Sequence, residues 1–180
     1  MHIAWILVAC YVGGIIYSSF FEWLLHRFVM HTNLKFFSYP YRSHAITHHT
    51  VFGSGKDYHI IEEKHKPLVT MAWWNGPALL LINTPSAIGV SLLVGTWWAI
   101  LPFLGAMATY YGVYEYFHYC MHVPGPRWFQ KTRLFRWVDQ HHRLHHLAPM
   151  RNLNVVLPLA DWTLRTRLKR APAEEPAAVA

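Results

Sequence analysis

From Ile3 to Leu25 the chain is almost wholly apolar, and these 23 residues are enough to cross about 30 Å of hydrocarbon with some tilt. A signal peptide would show a basic leader and a small-residue cleavage site; this stretch has neither and runs directly into His26, so it reads as a membrane span. Two further apolar stretches lie near Leu68 to Leu93 and Trp97 to Tyr119. Gly95 marks the turn between them, and Pro77, Pro85 and Pro102 are expected to kink or interrupt the helices. Past Arg127 the pattern changes. Arg127, Lys131, Arg133 and Arg136 alternate with Trp128, Phe129, Leu134, Phe135 and Trp137, as in a segment lying at a membrane interface, either beside a substrate or simply as an anchor.

Charge fixes the order of crossings. All sixteen Lys and Arg residues fall within Arg27 to Lys66 and Arg127 to Arg170, and residues 67–126 carry no positive charge. Under the positive-inside rule both basic stretches face the cytoplasm, so an even number of crossings separates them, and two is the economical number. The chain is therefore expected to be an all-α integral membrane protein of about three transmembrane helices. Trp5, Trp97 and Trp98 would mark the outer interface, and Trp23, Trp73 and Trp74 the inner one. With 53% hydrophobic and 14% charged residues, the 180-residue chain is too apolar for an ordinary soluble domain. Its net charge of +7 then reads as anchoring to anionic lipid, not as a nucleic-acid footprint. One domain is expected over residues 1–170, with a disordered Ala-, Pro- and Glu-rich tail over 171–180. Cys10 and Cys120 fall at different depths and are read as unpaired packing residues.

Fourteen histidines are present, and ten of them form four clusters at or beside the ends of the apolar stretches. These are His26 and His31; His44, His48 and His49; His118 and His122; and His142, His145 and His146. The three-span topology brings all four to the cytoplasmic face. Imidazole is a good ligand for iron, zinc and copper, and ten ligands divide into five for each of two octahedral ions, with one position left open on each. Any one of these histidines could merely satisfy a helix end. Four spaced clusters with two doublets point instead to a dimetal site. On an α-helix His118 and His122 lie about 40° apart, with Glu115 on the same face, and Glu22 sits one turn before His26. Either carboxylate could orient a ligand ring, bind metal or only reach water. His142, His145 and His146 share one helix face, whereas His26 and His31 would be about 140° apart, so His31 should lie past a helix end or kink. His2, His59, His65 and His141 read as surface residues, His141 being the substitute ligand if the register shifts by one.

These clusters resemble the histidine boxes of the fatty acid hydroxylase and sterol desaturase superfamily, and within it most of all the fatty acid 2-hydroxylases. Glu22-Trp-Leu-Leu-His26-Arg27 with His31 is similar to the first box, His44 to His49 to the second, Tyr114-Glu115-Tyr-Phe-His118-Tyr119 with His122 to the third, and His142-Arg-Leu-His145-His146 to the last. Asn152, Asn154 and Asp161-Trp162 stand where that family carries an Asn-containing segment and an Asp near a Trp, here with Asp and Trp in reversed order. The second box departs from the pattern, with three residues between His44 and His48 instead of two.

The resemblance implies a membrane-bound, O2-dependent enzyme with two iron ions, or zinc in a purified sample, that hydroxylates a lipid acyl chain, with carbon 2 as the expected position. The ten clustered histidines would be its metal ligands, with Glu22, Glu115 and Asp161 around them. No nucleotide-binding motif, four-cysteine motif or cytochrome b5-like stretch is present in the sequence, so a separate cytochrome b5- or ferredoxin-like protein would supply electrons. The expected location is a bacterial inner membrane, with the site on its cytoplasmic face. A carotenoid or sterol hydroxylase or desaturase of the same superfamily is the nearest alternative. A haem protein would need histidine pairs deep between helices, and a metal transporter would need polar residues along a midplane path.

Overall fold

The computed structural model describes residues 3–171, and among them all regular structure is helical. His2 and the expected tail beyond Ala171 lie outside the described residues. Helix α1 spans Ile3–Leu25 and passes without a break into a π-helical turn, His26–Met30. A short helix α2, Tyr39–Tyr41, leads into a second π segment, Arg42–His48, and then α3, His49–Val51. Two 3-10 turns, Lys56–Tyr58 and Glu63–Leu68, precede α4, Asn75–Val94. A 3-10 turn at Trp97–Ala99 opens α5, Ile100–His122. A last 3-10 turn, Trp128–Lys131, is followed by α6, Arg133–Leu147, and α7, Leu159–Thr163.

Two segments, Ile3–Met30 and Asn75–Val94, are long and apolar enough to cross a membrane, and only 22% and 17% of their most apolar stretches are buried within the protein. Their remaining surface turns outward: Trp5, Val8 and Val12 on α1, and Leu81, Ile82, Leu92 and Leu93 on α4, are all exposed. An outward apolar face of this extent needs a nonaqueous neighbour. α4 begins seven residues later than the apolar run that predicts it, because Leu68 closes a 3-10 turn and the chain bends before Asn75. Pro77 then sits in the first turn, where a missing N–H costs nothing, while Pro85 is carried inside the helix. Gly95, at φ 72°, ends α4: its N–H donates to Leu92 and that of Thr96 to Ser91.

α5 lies between α1 and α4. Gly14 lets α1 come close, because a Cβ there would stand 2.7 Å from Ala106 Cβ and 3.0 Å from the Phe103 carbonyl. On the α4 side the Tyr17 hydroxyl donates to Asn83 Oδ1 at 2.7 Å, satisfying a polar group buried among Ala87, Phe103 and Met107. α6 is capped by Thr132, whose Oγ1 accepts the Phe135 N–H. The expected interfacial segment is divided in two. Trp128 and Leu134 are exposed, while Phe135 and Val138 enter a core shared with Tyr58, Tyr114 and Met121. Cys10 and Cys120 are buried and unpaired.

Candidate metal centre

The two π segments, the end of α5 and the last two turns of α6 bring the ten clustered histidines together in two groups of five. His26, His31, His44, His49 and His145 form the first, and His48, His118, His122, His142 and His146 the second. Within each group the ligand atoms lie within 4.8 Å of one another. The groups are neighbours: the rings of His49 and His146 stack with centroids 4.3 Å apart, and those of His44 and His48 at 5.2 Å.

Helix type decides which histidines share a group. On the regular helices α5 and α6, His118 pairs with His122 and His142 with His146, each four residues apart. In the π segments the paired ligands are five apart. The His31 N–H donates to the His26 carbonyl at 3.0 Å and the His49 N–H to the His44 carbonyl, so each wide turn closes on the two residues it aligns. This resolves the 140° offset between His26 and His31 that a regular helix would give. It also absorbs the extra residue in the second box. His145, expected on one face with His142 and His146, goes to the other group, and both doublets straddle the two groups because neighbouring residues on a helix diverge by about 100°.

Backbone carbonyls, not carboxylates, orient the rings. His26 Nδ1 donates to the Leu153 carbonyl, His145 Nδ1 to Arg151 at 2.9 Å, His48 Nδ1 to Leu68 at 3.1 Å, His122 Nδ1 to Tyr58 at 2.7 Å, and His146 Nδ1 to Phe52. A proton fixed on Nδ1 leaves Nε2 with a bare lone pair. Those nitrogens then face one another. In the first group Nε2–Nε2 distances are 2.8 Å for His26 and His44, 3.1 Å for His49 and His145, and 3.2 Å for His31 and His145. In the second, His142 Nε2 lies 3.1 Å from both His122 Nε2 and His146 Nε2. One proton at most can be shared among those three atoms, and His48 Nε2 and His118 Nε2 are buried with no partner at all. Crowded lone pairs of this kind fit a cation. Five such nitrogens within 4.8 Å of one another in each group are more donors than a four-coordinate ion uses, so the number of ligands fits the higher coordination number.

Burial keeps the rings ready to bind. It holds the pKa of His31 and His48 down to about 4 and that of His49 to about 2, and drives His44, His142, His145 and His146 well below the ordinary histidine range, with neighbouring imidazoles adding to the effect in most of them. At neutral pH protons do not compete for these nitrogens.

Among the described residues none of the three expected carboxylates bonds to a ring of the two groups. Glu115 accepts the Met71 N–H at 3.2 Å and so ties α5 to the approach to α4. Glu22 accepts from the Tyr110 hydroxyl at 2.6 Å, from Asn154 Nδ2 at 2.8 Å and from the Val155 N–H at 2.8 Å. Asp161 is wholly buried and accepts from His141 Nε2 at 3.0 Å, Thr166 Oγ1 at 2.6 Å, the Leu153 N–H at 3.0 Å and the Asn154 N–H at 2.8 Å. Burial opposes its charge, but these bonds outweigh that and hold its carboxyl below the usual aspartate range. Glu22 and Asp161 thus grip residues 153–155 from two sides, and the Leu153 carbonyl between them holds His26. His141 is not a surface residue: it is buried, joins neither group and points at Asp161. Its position before His142 hides this, because its partner lies twenty residues further on. His59 and His65, also expected at the surface, are partly buried and belong to neither group.

Asp161→Ala strands four donors in the interior. It is expected to cost about 3–5 kcal/mol of stability and to loosen metal at the first group, since Leu153 loses its tether. Unfolding in detergent and metal content measure this; a parental midpoint with parental metal content would show that Asp161 braces nothing.

A cavity of about 410 Å³ opens between α1, α4 and α5. Phe21, Leu25, Met30, Leu80 and Met107 line its length, and it touches His26 and His44 of the first group and His48 and His118 of the second. Tyr114, one turn before His118, lines it as well, with its buried hydroxyl unpartnered. Comparison with protein-family models, with curated proteins and with solved structures finds no match for this chain.

Proposed function

We propose that the protein is a membrane-bound di-iron oxygenase that hydroxylates a lipid acyl chain, and that it belongs with the fatty acid hydroxylase and sterol desaturase superfamily its boxes resemble. The cavity carries this reading, because an apolar chamber that touches both groups of five histidines suits an acyl chain laid against a dimetal centre. When bound, two iron ions would supply the dioxygen chemistry needed to attack an unactivated C–H bond, which side chains cannot perform. The ten histidines would hold the metals and the carbonyls of Phe52, Tyr58, Leu68, Arg151 and Leu153 would orient five of the rings. Phe21, Leu25, Leu80 and Met107 would hold the chain and keep water from the reacting carbon. Electrons would come from a separate cytochrome b5- or ferredoxin-like donor.

The orphan hydroxyl of Tyr114 supports attack near a polar end. A buried O–H without a partner favours a substrate that brings an acceptor oxygen to it, such as an acyl carbonyl, and this would set carbon 2 beside the metals. Hydrolysed lipids from cells expressing the parent are expected to contain 2-hydroxy fatty acids that cells expressing His145→Ala lack. Mass spectrometry decides, and oxidised carotenoids or sterols alone would move the protein to another branch of the superfamily.

α5 is the third span in this proposal, lying between the two more apolar helices and carrying His118 and His122 to the same side as His26. The two chain ends then lie on opposite sides of a bacterial inner membrane, with the histidine site and the C-terminal end in the cytoplasm. Reporter fusions at residues 1 and 180 should report opposite compartments, and agreement between them would rule out three spans.

A further inference from the structure

The loop over residues 52–58 supplies carbonyls to two ligands of the second group, His146 through Phe52 and His122 through Tyr58. Only one short 3-10 turn gives this loop regular structure. It is held from outside by α6. The Arg143 guanidinium lies 4.2 Å from the centroid of the Tyr58 ring and donates to the Ser54 carbonyl at 3.3 Å and the Gly55 carbonyl at 3.2 Å. The Tyr58 hydroxyl, at the far end of a fully buried side chain, donates to Asp139 Oδ1 at 2.9 Å. Its ring also packs 4.7 Å from that of His122. Asp139 and Arg143 stand one turn before and one residue after His142, so the helix that carries His142 and His146 also clamps the loop that orients His122 and His146.

We infer that Arg143, Asp139 and Tyr58 are positioning residues for the metal held by His48, His118, His122, His142 and His146, acting through the loop carbonyls and leaving the neighbouring metal alone. The first group is braced by different parts, the Arg151 and Leu153 carbonyls and, behind Leu153, Asp161. A planar cation suits the clamp because its face stacks on the Tyr58 ring while one nitrogen, Nη1, holds both carbonyls; a lysine ammonium could bond the carbonyls but has no face to stack.

This inference rests on the reading of the histidines as a two-metal centre, and the test separates the two. Full-length protein in detergent is loaded with zinc and chased with an excess of a chromogenic chelator. The parent should hold two zinc ions. Arg143→Ala should release one of them about 10–100-fold faster, the cost typical of losing the partners of a ligand. Placed in a His26→Ala/His31→Ala background, which disables the first group, Arg143→Ala should still accelerate release of the remaining zinc. Placed in a His118→Ala/His122→Ala background, which disables the second, it should change nothing. Arg143→Lys should not restore the parental rate. If Arg143→Ala does not fold, Tyr58→Phe, which keeps ring and carbonyl and loses only the bond to Asp139, decides by the same two backgrounds, with an acceleration of about 10-fold expected. Acceleration in both backgrounds, or in neither, overturns the positioning role. A parent that holds fewer than two zinc ions overturns the two-metal reading beneath it.

Discussion

His142→Ala is expected to remove one of two metal ions and to abolish product. His142 Nε2 is the atom on which the second group converges, 3.1 Å from the Nε2 atoms of both His122 and His146. Without it the remaining four ligands lose their central member. Changes outside the ligand shell alone cost about 10–100-fold in affinity, so loss of a ligand should cost about 100-fold or more. Elemental analysis of the purified variant, beside lipid mass spectrometry of the expressing cells, gives both readings. Two metal ions retained with product still formed would exclude His142 from the centre.

The metal-free protein is expected to lose stability steeply as pH falls below about 6.5, the ordinary value at which histidines of the unfolded chain take up protons. In the fold, burial holds the rings of His31 and His48 neutral to about 4 and that of His49 to about 2, and drives His44, His142, His145 and His146 well below the ordinary histidine range. Between those limits the unfolded chain binds more protons than the folded one, so stability is complete above the unfolded value and declines as the solution is acidified. Each such ring contributes up to about 1.4 kcal/mol per pH unit across that window. Bound metal needs the same neutral nitrogens, so zinc should move the transition to lower pH. Unfolding midpoints from pH 8 to pH 5, with and without zinc, measure both effects; a metal-free curve that stays flat would mean the rings are not buried as described.

The histidines were legible from the sequence because imidazole is rare and chemically distinctive, and clusters of it at the ends of apolar runs have few other uses. The five-and-five division was legible as a count, but its membership was not: His142, His145 and His146 read as one face, although adjacent residues on a helix diverge by about 100° and His145 serves the other group. What could not be read was the helix type. A spacing of five looks discordant on a regular helix, and nothing in His26 to His31 announces a wider turn. The bracing was the least legible part. Glu22 attracts notice as a carboxylate within an apolar span and Asp161 through the resemblance, yet both brace residues 153–155 and neither bonds to a ring of the two groups. The groups that do hold rings, on Phe52, Tyr58, Leu68, Arg151 and Leu153, are carbonyls that any residue would supply. Asp139 and Arg143 look like ordinary helix charges until the loop they clamp is in place.

The two wide turns also bear on how the chain tolerates changes in length. A π turn is a regular helix carrying one extra residue, so deleting a residue between His44 and His48 need not destroy the box. The ladder could close again four residues apart, the spacing already used by His118 with His122 and by His142 with His146. A deletion taken up in this way would keep His49 aligned with His44 and leave the chain beyond it in the same direction. The same deletion within α5 or α6, which have no wide turn to give up, would rotate everything after it by roughly one residue's turn, about 100°. One-residue deletions should therefore be survivable at the two wide turns and damaging between the histidines of the regular helices, which makes turn type a coordinate of the metal site as real as the identity of its ligands.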